Sequence, residues 1–137
     1  MTIFEDSSQL YDCFGSLFQS LSDNEKIKST IARSGLIIRF NYSNPDCSIT
    51  IDATKDPVEF HYCECDLKPD VDMYMEADVA HKFWLGKVNL VSALTRGTIV
   101  AKGSIPAIMK LLPIISPAYK VYPEVLKTKG LESLIEA

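Results

Sequence analysis

His61, Cys63 and Cys65 occupy alternate positions in His61-Tyr62-Cys63-Glu64-Cys65, the sharpest cluster of chemically capable side chains in the chain. On a strand, residues two apart share a face, so one imidazole and two thiols would point the same way. Such a set suits zinc or copper, and a metal or redox protein is one reading of it. A fourth ligand is missing, however. Cys13 and Cys47 stand at no metal spacing, and a free cysteine often packs as a small hydrophobe. The acids Glu64, Asp66, Asp70, Asp72, Glu76 and Asp78 lack the loop spacing and glycine of a calcium hand, and read instead as a solvated strand face. His81, three residues after Asp78 on a predicted helix, reads as half of a helix-surface pair. No Gly-x-Ser-x-Gly elbow is present, and the glycines are too dispersed to cradle a phosphate. The expectation is no metal, no cofactor and no catalysis.

The elements that would position these groups follow from periodicity. Leu10, Phe14, Leu17, Phe18 and Leu21 form one face of a 3.6-residue repeat. Ser22 to Glu25 has the form of a capping box, predicting a second helix that carries Ile27 and Ile31 inward and ends at Gly35. The repeat then changes to two. Leu36, Ile38, Phe40 and Tyr42, then Ile49 and Ile51, then Val58, Phe60 and Tyr62 alternate with other residues. Turns at Asn44-Pro45-Asp46 and Asp56-Pro57 make these three strands an antiparallel meander. A fourth strand places Val71, Met73 and Met75 on one face.

Helix returns at Asp78, predicted to cap a turn holding Val79, Phe83 and Trp84, and again at Asn89, with Leu90, Ala93 and Leu94 before Gly97. Thr98 to Lys102 is a short strand. Ser104 caps a helix with Ile105, Ile108, Met109 and Leu112 on one side, and Ser116-Pro117 reads as a fresh helix start. No linker or repeat interrupts the sequence, so the expectation is one α+β domain over residues 1–137.

Apolar residues make up 47% of the 137, which excludes a disordered chain. Four cysteines are too few for a disulfide scaffold of this length. The most apolar stretch, Ile105 to Ile115, is broken by Lys110 and Pro113 and falls short of the roughly 20 residues that span a bilayer. Met1 to Asp12 carries three acids and no base, unlike a signal peptide, so the expected setting is cytoplasmic. The net charge of −4 hides a division: residues 1–78 balance at −9 and residues 79–137 at +5. The basic half could face a carboxylate, a phosphate or a membrane surface, or simply pack beside the acidic strands. Nucleic acid is not expected, for there is no basic stripe with interleaved aromatics.

The stretch Asp70-Val-Asp-Met-Tyr-Met-Glu-Ala-Asp78, followed by Phe83-Trp-Leu-Gly-Lys-Val-Asn89 and Leu94-Thr-Arg-Gly-Thr-Ile-Val-Ala-Lys-Gly103, resembles the sterol-carrier-protein (type two) lipid-binding domain. Ile108-Met-Lys-Leu-Leu-Pro113 and Tyr119-Lys-Val-Tyr-Pro123 resemble the C-terminal helices of its short, stand-alone bacterial members. The resemblance implies an α+β fold, with N-terminal helices, a five-stranded mixed sheet and C-terminal helices covering an apolar tunnel. It also implies non-catalytic binding, and transfer, of a fatty acid, fatty-acyl-CoA or sterol-like ligand, a fatty acyl chain being the expected class. Transient contact with a membrane surface is the further partner expected.

On that reading the apolar wall is expected from Phe83, Trp84, Leu94, Ile105, Ile108, Met109, Leu112, Ile115 and Tyr119. Arg96, Lys110 or Lys120 would meet a head group. The alternative is an interaction or regulatory domain with a closed core, whose apolar helices form a dimerisation face.

Overall fold

A computed structural model describes residues 3–55, 57–63 and 66–136. Two helices lead, α1 (Ser7–Asp23) and α2 (Glu25–Ser34), followed by strands β1 (Ile37–Ser43), β2 (Cys47–Asp52), β3 (Glu59–Tyr62) and β4 (Val71–Glu76). Then come α3 (Ala77–Trp84), α4 (Leu90–Arg96), β5 (Val100–Gly103), α5 (Ile105–Met109), α6 (Leu112–Thr128) and a 3-10 turn over Glu132–Glu136. The strands form one mixed sheet in the order β3-β2-β1-β4-β5. Only the β1–β4 pair is parallel; the meander β1-β2-β3 and the β4–β5 pair are antiparallel.

Alternation sets the inner face. Ile38, Phe40 and Tyr42 of β1 are buried, as are Val71, Met73 and Met75 of β4. Register carries this across the sheet: Phe60 lies opposite Ile51, Ile51 opposite Ile38, and Ile38 opposite Val71. The predicted face of α1 is buried against it, with Leu10, Phe14, Leu17, Phe18 and Leu21 at most 2% exposed. On the opposite face of the sheet, Arg39 forms a two-pronged ion pair with Asp72 at 2.8 and 3.0 Å. Asn41 and Tyr74 donate to the same carboxylate.

Several expectations change. The cap of α2 is Asn24, whose side chain accepts from the N–H groups of Lys26 and Ile27, while Ser22 lies inside α1. The short Asn side chain can reach both free donors only from the residue immediately before the helix. Asp78 does not cap α3. It sits in the first turn and accepts from the Ile3 N–H, and Glu76 holds the cap position. Ser116-Pro117 starts no helix, because α6 begins at Leu112 with Pro113 in its first turn and runs through Pro117 and Pro123. Proline favours a helix start, but packing of α6 against α1 and α3 keeps the helix going here.

His81 is not a surface residue. It is wholly buried, with Nδ1 2.7 Å from the Tyr122 hydroxyl and Nε2 2.6 Å from the Leu134 carbonyl. Asp78 is instead occupied by the N-terminal segment, so the expected pair does not form.

The trio of possible metal ligands is also not assembled as expected. The strand ends at Tyr62, and Cys63 turns out of it with φ 70°, its sulfur accepting from the Tyr11 hydroxyl at 3.2 Å. Glu64 and Cys65 lie outside the described residues, as does Asp56 of the second turn. Among the described residues no group of three His, Cys, Asp or Glu side chains is arranged to hold a metal ion.

Candidate functional site

The inner face of the sheet and the helices above it line a cavity of about 30 Å³. Ile38, Phe40, Ile51 and Phe60 form its floor. Phe18 and Leu21 of α1 and Ile31 of α2 wall one side, and Trp84 at the end of α3 walls another. The corner where α5 passes into α6 supplies the cover, through Leu111, Ile114 and Ile115. Every lining side chain is hydrocarbon or aromatic, so nothing here can activate water or hold an ion.

Four aromatics frame the cavity. Phe18 stacks on Phe40 at 5.7 Å and on Phe60 at 6.2 Å between ring centres, while Trp84 meets Phe18 and Phe40 edge-on at 5.6 and 5.7 Å. Edge-to-face and offset ring pairs add about 0.5–1.5 kcal/mol each beyond their burial, so this side of the cavity is well packed. Burial, helped by the nearby Cys47, pushes the neighbouring Tyr42 phenol well up.

The cover differs. No residue of α5 is buried, and Ile105 and Met109 are 76% and 55% exposed. The helix is five residues long, started by the Ser104 side chain accepting from the Ala107 N–H. It cannot hold itself by helix propensity at that length. Leu111, 2% exposed, is the anchor that fixes the corner to the core.

The residues expected to form a wall are therefore distributed. Trp84 and Ile115 line the cavity. Phe83 is buried in the core beside Trp84, at 4.9 Å between rings. Leu94, Ile108 and Tyr119 are half-buried against the core, Tyr119 lying over Gly86, while Ile105, Met109 and Leu112 face outward. Of the basic residues, Lys110 sits at the corner, one position before the cavity-lining Leu111, whereas Arg96 ends α4 and Lys120 lies on the exposed side of α6.

Sequence reasoning looked only to the last 60 residues for walls and left out the sheet floor and the α1 aromatic. The signal was present: the inward stripe of the strands is apolar throughout, and the face of a sheet lines whatever its helices cover.

A mixed five-stranded sheet with helices over one apolar face, and a small hydrocarbon-lined cavity between them, makes the chain a small α+β domain. The chain belongs to the SCP-2 sterol transfer family, whose sequence pattern matches residues 14–116.

Solved structures of the same fold agree. The sterol carrier protein domain 2 of Helicoverpa armigera superposes with a TM-score of 0.67 at 21% identity, over 80% of this chain and 89% of that one. Sterol carrier protein 2 from Yarrowia lipolytica, in its apo form, gives 0.60 at 16% identity, over 90% and 95% of the two chains. A ubiquinone synthesis protein, UbiJ-SCP2, gives 0.59 at 17% identity, over 76% and 85%. No curated protein matches the sequence significantly. Among the described residues, no helix is long and apolar enough to cross a membrane.

Proposed function

We propose that residues 1–137 act as one lipid-binding domain, a carrier working in the cytoplasm that holds a fatty acyl or similar apolar chain without reacting with it. The observation that carries this reading is the cavity walled entirely by hydrocarbon and aromatic side chains of the sheet, of α1, α2 and α3, and of the start of α6. Membership of the sterol transfer family supports it.

The mechanism is transfer of hydrocarbon from water, at about 0.8 kcal/mol per CH₂ buried. A cavity of about 30 Å³ is far below the roughly 300 Å³ or more of a lipid pocket, so binding requires the cover to move. On this reading the packed aromatic frame stays in place while the α5–α6 corner lifts. Lys110, adjoining the anchor Leu111, would meet a carboxylate or phosphate left at the opening.

Native mass spectrometry of the freshly purified protein, followed by lipid extraction, tests the reading together with titration of oleate and oleoyl-CoA while Trp84 fluorescence is recorded. Retained lipid, or a saturable Trp84 change at equimolar ligand, is the expected result. An apo mass with no response to either compound would overturn the carrier reading in favour of a closed interaction domain.

A further inference from the structure

We propose that Cys47 and Cys63 form a redox-sensitive pair, in which a peroxide oxidises Cys63 and Cys47 then closes a disulfide across the β2–β3 edge of the sheet. This chemistry lies outside lipid binding and does not depend on what the cavity holds.

The backbone brings the two sulfurs to one side. Continued as a regular strand past Tyr62, the chain would carry the Cys63 side chain to the outer face with His61. Instead Cys63 has φ 70°, in the left-handed region that a residue other than glycine rarely adopts. Its main chain still meets β2: the Cys63 N–H donates to the Ser48 carbonyl at 2.9 Å, and the Ser48 hydroxyl donates to the Cys63 carbonyl at 2.8 Å. The sulfur reaches the Tyr11 hydroxyl of α1, which donates to it at 3.2 Å. That same oxygen accepts from the Ser48 N–H at 3.4 Å. One phenol oxygen therefore connects the Cys63 sulfur to the peptide that joins Cys47 to Ser48.

Cys47 stands on the helix-covered face, since its partner across β1 and β2 is the buried Tyr42. Cys63 is held opposite Ser48, and Cys47 is one step along the strand. With opposite residues about 5 Å apart and a rise of about 3.4 Å per residue, the two α-carbons stand roughly 6 Å apart, inside the range of about 4.4–6.8 Å that a disulfide accepts. Both side chains are free thiols.

Their surroundings divide the roles. Cys63 is exposed and open to a dissolved oxidant. Cys47 is half-buried, and burial pushes its thiol up to about 11, with the Tyr11 hydroxyl acting against burial and Cys63 acting with it. Cys13 is buried, and burial pushes it up to about 11 as well. Neither of these two offers much thiolate near neutral pH, so Cys63 takes the first step. Its sulfur attacks one oxygen of hydrogen peroxide: an S–O bond forms, the O–O bond breaks, and the thiol proton leaves with the other oxygen as water. The Cys47 sulfur then attacks the Cys63 sulfenic acid: the S–S bond forms, the S–O bond breaks, and the Cys47 proton leaves with the hydroxyl as a second water. Two thiols give up two electrons and the peroxide is reduced to water. In a reducing compartment such a bond is transient, which suits a sensor.

The test treats the reduced full chain with a few equivalents of hydrogen peroxide and caps the remaining thiols with iodoacetamide. Intact mass and a non-reduced tryptic map are then recorded. Wild type should lose two hydrogens and yield peptides linked through Cys47 and Cys63, and dithiothreitol should restore the original mass. Cys47→Ser should form no link but trap at least about tenfold more Cys63 sulfenic acid as its dimedone adduct. Cys63→Ser should show neither product, and Cys65→Ser should link as wild type does. Thermal melts show that each variant is folded. A link from Cys63 to Cys65, a disulfide-bonded dimer, or a wild-type yield of link in Cys47→Ser would overturn the pair. Cys63 left unmodified by the peroxide would overturn it too.

Discussion

His81 joins three parts of the molecule through one ring: α3, the middle of α6 through Tyr122, and the C-terminal turn through the Leu134 carbonyl. Burial lowers its pKa from the ordinary value of 6.5, against the Leu134 hydrogen bond that raises it. Lys87 and Lys82 act with burial, and Asp78 against it. The folded state therefore holds the ring neutral while the unfolded chain takes up a proton below about pH 6.5. Stability from this group is complete above that pH and is lost as the pH falls through the lowered folded value. Urea midpoints should drop between about pH 7 and 5 in wild type, and His81→Phe should flatten that slope while costing about 1–3 kcal/mol at neutral pH from the orphaned Leu134 and Tyr122 groups. An unchanged slope in the variant would show that His81 does not titrate in this window. Asp72 acts elsewhere on the scale. Burial opposes its ionisation, but hydrogen bonds from Arg39, Tyr74 and Asn41 outweigh that and hold its carboxyl below the ordinary range. Its contribution is retained down to about pH 4 and lost only below. None of this could be read from the spacing of Asp78 and His81, because their true partners lie 75 residues from Asp78 and 41 and 53 residues from His81.

Among the elements, legibility tracks how local the cause is. The apolar repeat of α1, the left-handed Gly35 and Gly97 that close α2 and α4, and the caps Asn89 and Ser104 all operate within four residues, and each stands where its spacing placed it. The meander was legible for the same reason, since short turns join alternating runs. The parallel pairing of β1 with β4 was not. It joins strands about 30 residues apart, and what fixes it is the match of Ile38, Phe40 and Tyr42 to Val71, Met73 and Met75. The α5 region was legible only in part: of Ile105, Ile108, Met109 and Leu112, which read as one inward side, Ile108 turns in, together with Leu111, while the other three are exposed. Periodicity locates an apolar stripe but does not say what covers it. An element held by so little burial opens cheaply, which hydrogen exchange can measure. Amides of α5 and the Lys110–Leu111 turn should exchange on the order of a hundredfold faster than those of β1 and β4. Equal protection would mean that the cover is as firm as the sheet, and binding would then need another entrance.

For the molecule as a whole, the question is how an interior cavity of about 30 Å³ would accept the proposed acyl chain. If the closed state must give way, the observed affinity is the intrinsic affinity multiplied by the fraction of molecules that are open. A substitution that weakens only the closed state should then trade stability for affinity. Leu111→Ala is the one to make. Its side chain is 2% exposed, lines the cavity and anchors the cover, so truncation should cost about 2–4 kcal/mol of unfolding free energy. It should also tighten oleate binding several-fold by calorimetry, because the cover lifts more easily and the cavity is larger. Leu10→Ala supplies the comparison. Leu10 is fully buried on α1 and is absent from the cavity wall, so its loss should cost a similar amount with no gain in affinity. Parallel losses of stability and affinity in Leu111→Ala would show that ligand binds the closed form, and the opening cover would have to be abandoned. Opposite movement in the two quantities, seen at Leu111 and not at Leu10, would place the moving part at the corner that also carries the exposed apolar stripe and Lys110.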